Sequence, residues 1–257
     1  MRSRTKWLLL LTPLLLLGLA HADRDADSID NWRMASRAAV GLAPDPAVTR
    51  EPVVQVYAAR AVRWRGYFGV HTWIAVKPGN AAEFTVYEVT GFAVRRGGSA
   101  VRASQRPADG RWFGSRPELL ADVRGHGVAA LIARIERAVA DYPYRDSYRI
   151  WPGPNSNTFT AFVLRQVPEL RADLPAHAIG KDYLGPHLFA RSPSGTGVQA
   201  NVFGALGVLA GVEEGLEVNV LGLTFGIDPG DLGLKLPLVG RIGFDTPITA
   251  SMLPSGS

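Results

Sequence analysis

Prolines on either side of one apolar segment constrain this chain more than any other feature. In Trp151-Pro-Gly-Pro-Asn-Ser-Asn-Thr-Phe159, Pro152 and Pro154 deny helix before residue 155, and Pro168 stops one after residue 167. Between them Phe159, Phe162, Val163 and Val167 recur at three-to-four spacing, which predicts a helix starting at Asn155 or Ser156. Asparagine and serine are preferred at such a start because the side chain satisfies an orphan backbone N–H. The same place suits a nucleophile. It lies at the positive end of the helix macrodipole, with free N–H groups near to hold a developing oxyanion. Ser156 is therefore both a candidate nucleophile and a candidate cap.

A serine hydroxyl needs a general base, and the base needs a third group to orient it. His71 supplies the first in the strand-like run Phe68-Gly-Val-His-Thr-Trp-Ile-Ala-Val76. The runs 53–59, 67–76 and 83–92 are rich in β-branched and aromatic residues, and Arg65-Gly66 and Pro78-Gly-Asn80 separate them as turns, so three adjacent strands are predicted. Glu88 on the third is the candidate orienter. Tyr87 is its neighbour, and a strand turns only one of the two inward. Asn155 and Asn157 flank the serine as amide donors, or as turn and cap residues. Together with Tyr87 and Trp73 they are the candidate ligand-binding positions.

A further short strand is predicted over 119–124, and a helix over 127–142 from the spacing of Val128, Leu131, Ile132, Ile135 and Val139. Strands mixed with two helices give an α+β class. From Gly195 onward glycine is dense and histidine absent. Leu216 to Ile227 alternates as one strand, paired with 202–212 through Glu213-Glu-Gly215, and 232–244 adds an edge. This Gly-rich β extension has three possible roles: packing on the core, self-association, or contact with a membrane. Its apolar content favours packing.

The N-terminus has three parts: Arg2, Arg4 and Lys6, an apolar run from Trp7 to Ala20 broken by Pro13, and Ala20-His-Ala22 before acidic residues. These describe a secretory signal cut after Ala22, or else a retained membrane anchor, so the chain is expected to be exported: periplasmic, or held at the inner membrane with its domain outside the cytoplasm. Ser28 is expected to cap a short helix through Val40, followed by the Pro-rich linker 43–47. The organisation is then a signal or anchor over 1–22, helix and linker over 23–50, the α+β core over 51–190 and the β extension over 191–257.

Composition removes several function classes. The net charge of +5 falls to +2 without Arg2, Arg4 and Lys6, so a nucleic-acid partner is not expected. There is no cysteine, hence no disulfide, thiolate nucleophile or cysteine-bound metal. His126, His177 and His187 show no ligand spacing, so no metal and no cofactor are expected. The cluster Arg95, Arg96, Arg102, Arg106 and Arg111 reads as a solvated strand-and-loop face, and Gly97-Gly98 precedes no helix that would cradle a phosphate.

The stretches Gln55-Val-Tyr-Ala-Ala-Arg60, Trp64 to Pro78, Tyr87-Glu-Val-Thr-Gly91, Trp151 to Phe159 and Glu214 to Leu223 resemble a bacterial family of unknown function, domain of unknown function 3750, across roughly residues 50–245. More distantly, a strand histidine followed by a nucleophile at a helix start is similar to the permuted papain-like superfamily of the lecithin retinol acyltransferase type, with Ser156 where those enzymes place cysteine. That likeness implies a permuted papain-like core carrying a C-terminal β extension. It implies two functions: a non-catalytic or weakly active envelope module whose cleft binds a peptide, glycan or lipid, or a serine-dependent hydrolase or acyltransferase acting on envelope amides or esters through Ser156, His71 and Glu88.

Overall fold

The structure, a computed structural model, describes residues 34–243 and 248–250. Two sheets and two helices build it. The first sheet contains β1 (Val53–Arg60), β2 (Val70–Lys77), β3 (Thr85–Val89), β4 (Val101–Gln105), β5 (Glu118–Arg124) and the short β13 (Ile248–Ala250), in the order β13-β5-β1-β2-β3-β4. Its pairings are antiparallel except that β13 runs parallel to β5.

Both faces of this sheet are covered. Val54, Val56, Ile74, Val76 and Val123 pack beneath helices α1 (Val128–Ala140) and α2 (Ser156–Gln166). The alternate residues Val53, Tyr57, Trp73, Ala75 and Val86 form a second core with Ala108 and Trp112. A strand buried on both sides is apolar at nearly every position, as β1 is in Val53-Val-Gln-Val-Tyr-Ala-Ala59. The predicted face of α1 is buried through Val128, Leu131, Ile132, Ile135 and Val139.

Part of the expected helix over 28–40 lies outside the described residues, and the rest is not helical. Residues 36–40 are extended, Ala39 bridges Gly110, and the Asp109 carboxylate accepts from the N–H groups of Val40, Leu42 and Ala43 at 3.2, 2.6 and 3.2 Å. Backbone donors held by a carboxylate from another segment have no need of a helix.

The second sheet is a simple meander: β6 (Phe189–Arg191), β7 (Gly197–Val202), β8 (Leu206–Gly211), β9 (Gly215–Val220), β10 (Leu223–Asp228), β11 (Gly233–Leu236) and β12 (Gly240–Ile242), each hydrogen-bonded to the next. The single strand expected over 216–227 is two strands. Leu221 and Gly222 turn the chain at φ +54° and +82° between them. A primed turn normally announces itself with Asn-Gly or Asp-Gly, so Leu-Gly hid this one.

The apolar content of this sheet does not pack on the core. Its buried face carries Gln199, Asn201, Glu217, Asn219, Thr224, Asp228 and Lys235, while Val198, Val208, Leu216, Val218, Phe225 and Ile227 face outward and are exposed. What joins the sheets is polar. Lys181 pairs with Glu217, Lys235 reaches Glu217 at 2.8 Å and Asp173 at 2.5 Å, and Asn219 Nδ2 donates to Asp182 at 2.6 Å. Arg165 on α2 donates to Gln199 Oε1 at 2.7 Å and to the Arg191 carbonyl at 2.9 Å. Charges removed from water survive only when paired and hydrogen-bonded, and here two ammonium groups share two carboxylates.

Candidate functional site

Strand alternation decides which predicted residues meet. In β2, His71 and Trp73 point to one face of the first sheet, and Thr72 and Ile74 to the other. His71 is buried. Its ring lies flat on that of Trp112, with centroids 3.7 Å apart and planes 6° apart, and its Nε2 sits 2.9 Å from Glu88 Oε2. Arg106 Nη2 approaches the same carboxylate oxygen at 3.4 Å, and the Arg106 Cζ lies over Trp73, 5.1 Å from the ring centroid. The structure therefore brings His71 and Glu88 together.

The nucleophile is not with them. Helix α2 packs on the opposite face, where the Thr72 hydroxyl lies within hydrogen-bond distance of the Ser156 carbonyl at 3.4 Å, Asn157 Oδ1 at 3.1 Å and Thr160 Oγ1 at 2.9 Å. Ser156 occupies the first turn of α2, buried against the side of the sheet that His71 turns away from. The expected direct or one-water contact between Ser156 and His71 is not made. A hydroxyl across a sheet from the imidazole has no base to take its proton.

The binding candidates are engaged structurally. Asn155, not Ser156, is the N-cap: its Oδ1 accepts from the N–H groups of Asn157 and Thr158 at 2.9 and 3.2 Å, in a capping box with Thr158, and its Nδ2 donates to the carbonyls of Ile150 and Ile179. Asn157 Nδ2 donates to the carbonyls of Val70 and Ile179 at 3.1 and 2.8 Å. Gly180, at φ +95°, is needed here because a Cβ on it would stand 2.4 Å from Asn155 Nδ2. Tyr87 lies on the helix side, half-buried, its hydroxyl donating to Glu136 at 3.4 Å. Trp73 is fully buried, stacked on Tyr57, with Nε1 donating to the Ala108 carbonyl at 2.8 Å. These contacts account for the polar groups of both asparagines and of Trp73.

Electrostatics agree. Burial drives the His71 pKa below its ordinary value, and the hydrogen bond and charge of Glu88 only partly oppose this. Burial works to raise Glu88, but its bonds to His71 and the charge of Arg106 hold it below the usual carboxylate range. The resulting arrangement is a neutral imidazole against an ionised carboxylate. It is a stable buried pair facing two indoles.

A concave site does exist, and it lies elsewhere. Where the start of β5 meets β11 and β12, a pocket of about 180 Å³ is lined by Asp173, His177, Lys235 and Arg241 together with Glu118 and Asp231. Among the described residues the buried atoms Asp173 Oδ1 and His177 Nδ1 have no hydrogen-bond partner. Burial and the nearby Glu217 charge push Asp173 up to about 7 against the pull of Lys235 and Lys181. Burial, helped by Arg60, pushes His177 down to about 3. Displaced ionisations beside an opening make this pocket a candidate binding site. Sequence spacing carried one faint signal of this site, the charged residues Glu217 and Lys235 set among apolar neighbours in alternating strands. Among the described residues no group of three or more His, Cys, Asp or Glu is placed to hold a metal ion, and no helix is long and apolar enough to cross a membrane.

In comparison with known proteins, the family model "Protein of unknown function (DUF3750)" matches residues 51–183, just over half of the chain and the stretch from β1 through α2. No curated protein and no solved structure matches.

Proposed function

The chain belongs to the DUF3750 family, and from that premise we propose a non-catalytic module of the cell envelope that binds a neutral, hydrogen-bonding group of a peptide or glycan in the pocket between its two sheets. The observation that carries the non-catalytic reading is the separation of Ser156 from His71 by the first sheet. The order of a histidine strand before a serine helix is similar to that of permuted papain-like domains, but Ser156 and His71 do not meet, which favours binding over catalysis. The envelope assignment is supported by the basic, apolar and small-residue segments over residues 2–22.

The pocket favours hydrogen bonding over apolar recognition. His177 is held neutral, and the unpartnered His177 Nδ1 and Asp173 Oδ1 offer hydrogen bonds to a hydroxyl or amide. Lys235 and Arg241 are already committed to carboxylates, Arg241 to Asp228 at 2.8 Å and to Asp231 at 3.2 Å. An acyl chain would leave the unpartnered atoms buried and unpaired, which disfavours a lipid tail here.

Two measurements test this. A fluorophosphonate serine probe is expected to leave the protein unlabelled, and labelling that disappears in Ser156→Ala would restore the serine hydrolase or acyltransferase reading. Titration with short neutral peptides and oligosaccharides is expected to move the His177 imidazole resonances, with the heat of binding measured by calorimetry lost in His177→Phe. Resonances unmoved by either class would refute the pocket as the binding site.

A further inference from the structure

The meander of β6 to β12 has its apolar side outward, and the register aligns that side into continuous rows across the strands. Val208, Val218 and Phe225 stand side by side in the central row, and Leu216 and Ile227 in the next. From β7 to β12 no outward strand position carries a charged side chain. The pattern extends to the turns, where Phe203 and Leu221 adopt φ of +52° and +54° and are 66% and 63% exposed. Side chains about half-exposed across seven strands leave on the order of 1,000 Å² of contiguous apolar surface, against the 300–600 Å² of the largest patch on a typical monomer. We propose that this face is where a second copy of the chain docks, sheet against sheet, in a two-fold dimer.

The area is what a dimer needs. A stable interface takes about 800 Å² from each partner, and an isologous one requires a surface complementary to itself. A flat apolar sheet meets that condition, since two such sheets interdigitate about 10 Å apart as in a β-sandwich. Other occupants fit less well. The apolar run Trp7 to Ala20, as a helix about 10 Å wide and about 20 Å long, would cover only a fraction of the face. A bilayer would have to accept the open edges at β6 and β12, whose unpaired backbone groups have no partner in hydrocarbon. The strand ends of the face are charge-balanced, Glu213 with Arg171 and Asp231 with Arg241, and the single outward cation is Arg191 on edge strand β6, too little positive charge to draw the face onto anionic lipid. In a sheet-on-sheet dimer those edges and carboxylates remain in water.

The absence of cysteine makes the test direct, because one introduced thiol reports only on contacts between chains. The full chain carrying Val218→Cys, at the centre of the face, is treated in the expressing cells with a bis-maleimide spanning about 10 Å, the separation of packed sheets. A product of twice the chain mass is expected, with none from Arg96→Cys on the exposed rim of the first sheet. Adding Leu216→Asp and Phe225→Asp, both at exposed positions, is expected to cut the product about 100-fold by placing like charges across a dry interface. Equal crosslinking from both single-cysteine chains would mean random collision and overturn the proposal. So would a Val218→Cys thiol that reacts freely with a monofunctional maleimide but does not crosslink, which means an open face. A thiol protected from both reagents in a chain that runs at a single chain mass on size exclusion would overturn it too, assigning the face to lipid or to the chain's own N-terminal run.

Discussion

The two sheets obey opposite rules. The first buries valine, isoleucine and aromatic side chains on both faces and pairs polar residues such as His71 with Glu88 and Thr72 with Thr160. The second buries glutamate, lysine, asparagine and aspartate against the first and turns its valines, leucines and phenylalanines outward. An apolar core is insensitive to pH and is held by area. A junction of paired charges is held by stoichiometry, and it fails when one partner is lost. The comparison teaches that the buried ion pairs of this chain are gathered in the region joining the sheets, away from the helix start at Ser156.

The sharpest way to break the contrast is to remove one charge from the junction. Glu217→Ala leaves one ammonium in excess among Lys181, Lys235 and Asp173, and an uncompensated buried charge costs about 3–5 kcal/mol. Urea unfolding is expected to show a loss of that size. A cost under about 1 kcal/mol would mean that water enters the junction and that the two sheets are less different than their burial implies.

Acid is expected to act on the two regions unequally through their histidines. His177 titrates near 3 when folded, against about 6.5 in an unfolded chain, so the unfolded state takes up the proton first as pH falls. Its contribution is complete above about pH 6.5 and is lost progressively toward pH 3, a loss of about 3 kcal/mol by roughly pH 4.5. His71 is lowered as well, but Glu88 opposes the shift. Thermal melts from pH 7 to 4 should therefore flatten in His177→Gln much more than in His71→Gln. The reverse order would place the acid-sensitive group in the first sheet.

A smaller effect separates two neighbours at the helix start. Asn155→Ala removes the cap and the bonds to Ile150 and Ile179, and is expected to cost about 2 kcal/mol. Ser156→Ala removes no cap and is expected to cost less than half of that. If Ser156→Ala proved the more damaging, the hydroxyl would have a role that the geometry does not reveal. Smallest of all, Val208→Thr on the outward face should change the unfolding free energy of the isolated monomer by no more than about 0.5 kcal/mol, whereas a buried Val in the first sheet would not tolerate a hydroxyl so cheaply.

Much of this was legible in the chain. Prolines at 152, 154 and 168 bounded α2, the three-to-four spacing of Val128 to Val139 gave α1, and β-branched runs gave β1, β2, β3 and β5, because each signal is local. The pairing of His71 with Glu88 also followed from adjacent strands. The side of the sheet on which they meet did not. Period-two alternation states which residues share a face, but which face a helix covers depends on how α2 docks, and a single residue of phase moves His71 from beside Ser156 to the far side.

The same ambiguity governed the second sheet. Its alternation, Leu216-Glu-Val-Asn-Val220 in β9 and Leu234-Lys-Leu236 in β11, was determined by sequence alone, and so was the sorting of its apolar from its charged residues. Sequence gave no way to see that the charged side would turn inward. That depended on Asp173, Lys181 and Asp182, which come from a loop with no periodicity and which meet Lys235, Glu217 and Asn219 only once both sheets are built. Local pattern is written in neighbours along the chain; the choice of which face is buried belongs to partners far apart in it, since a charge can be taken from water only where an opposite charge is already in place.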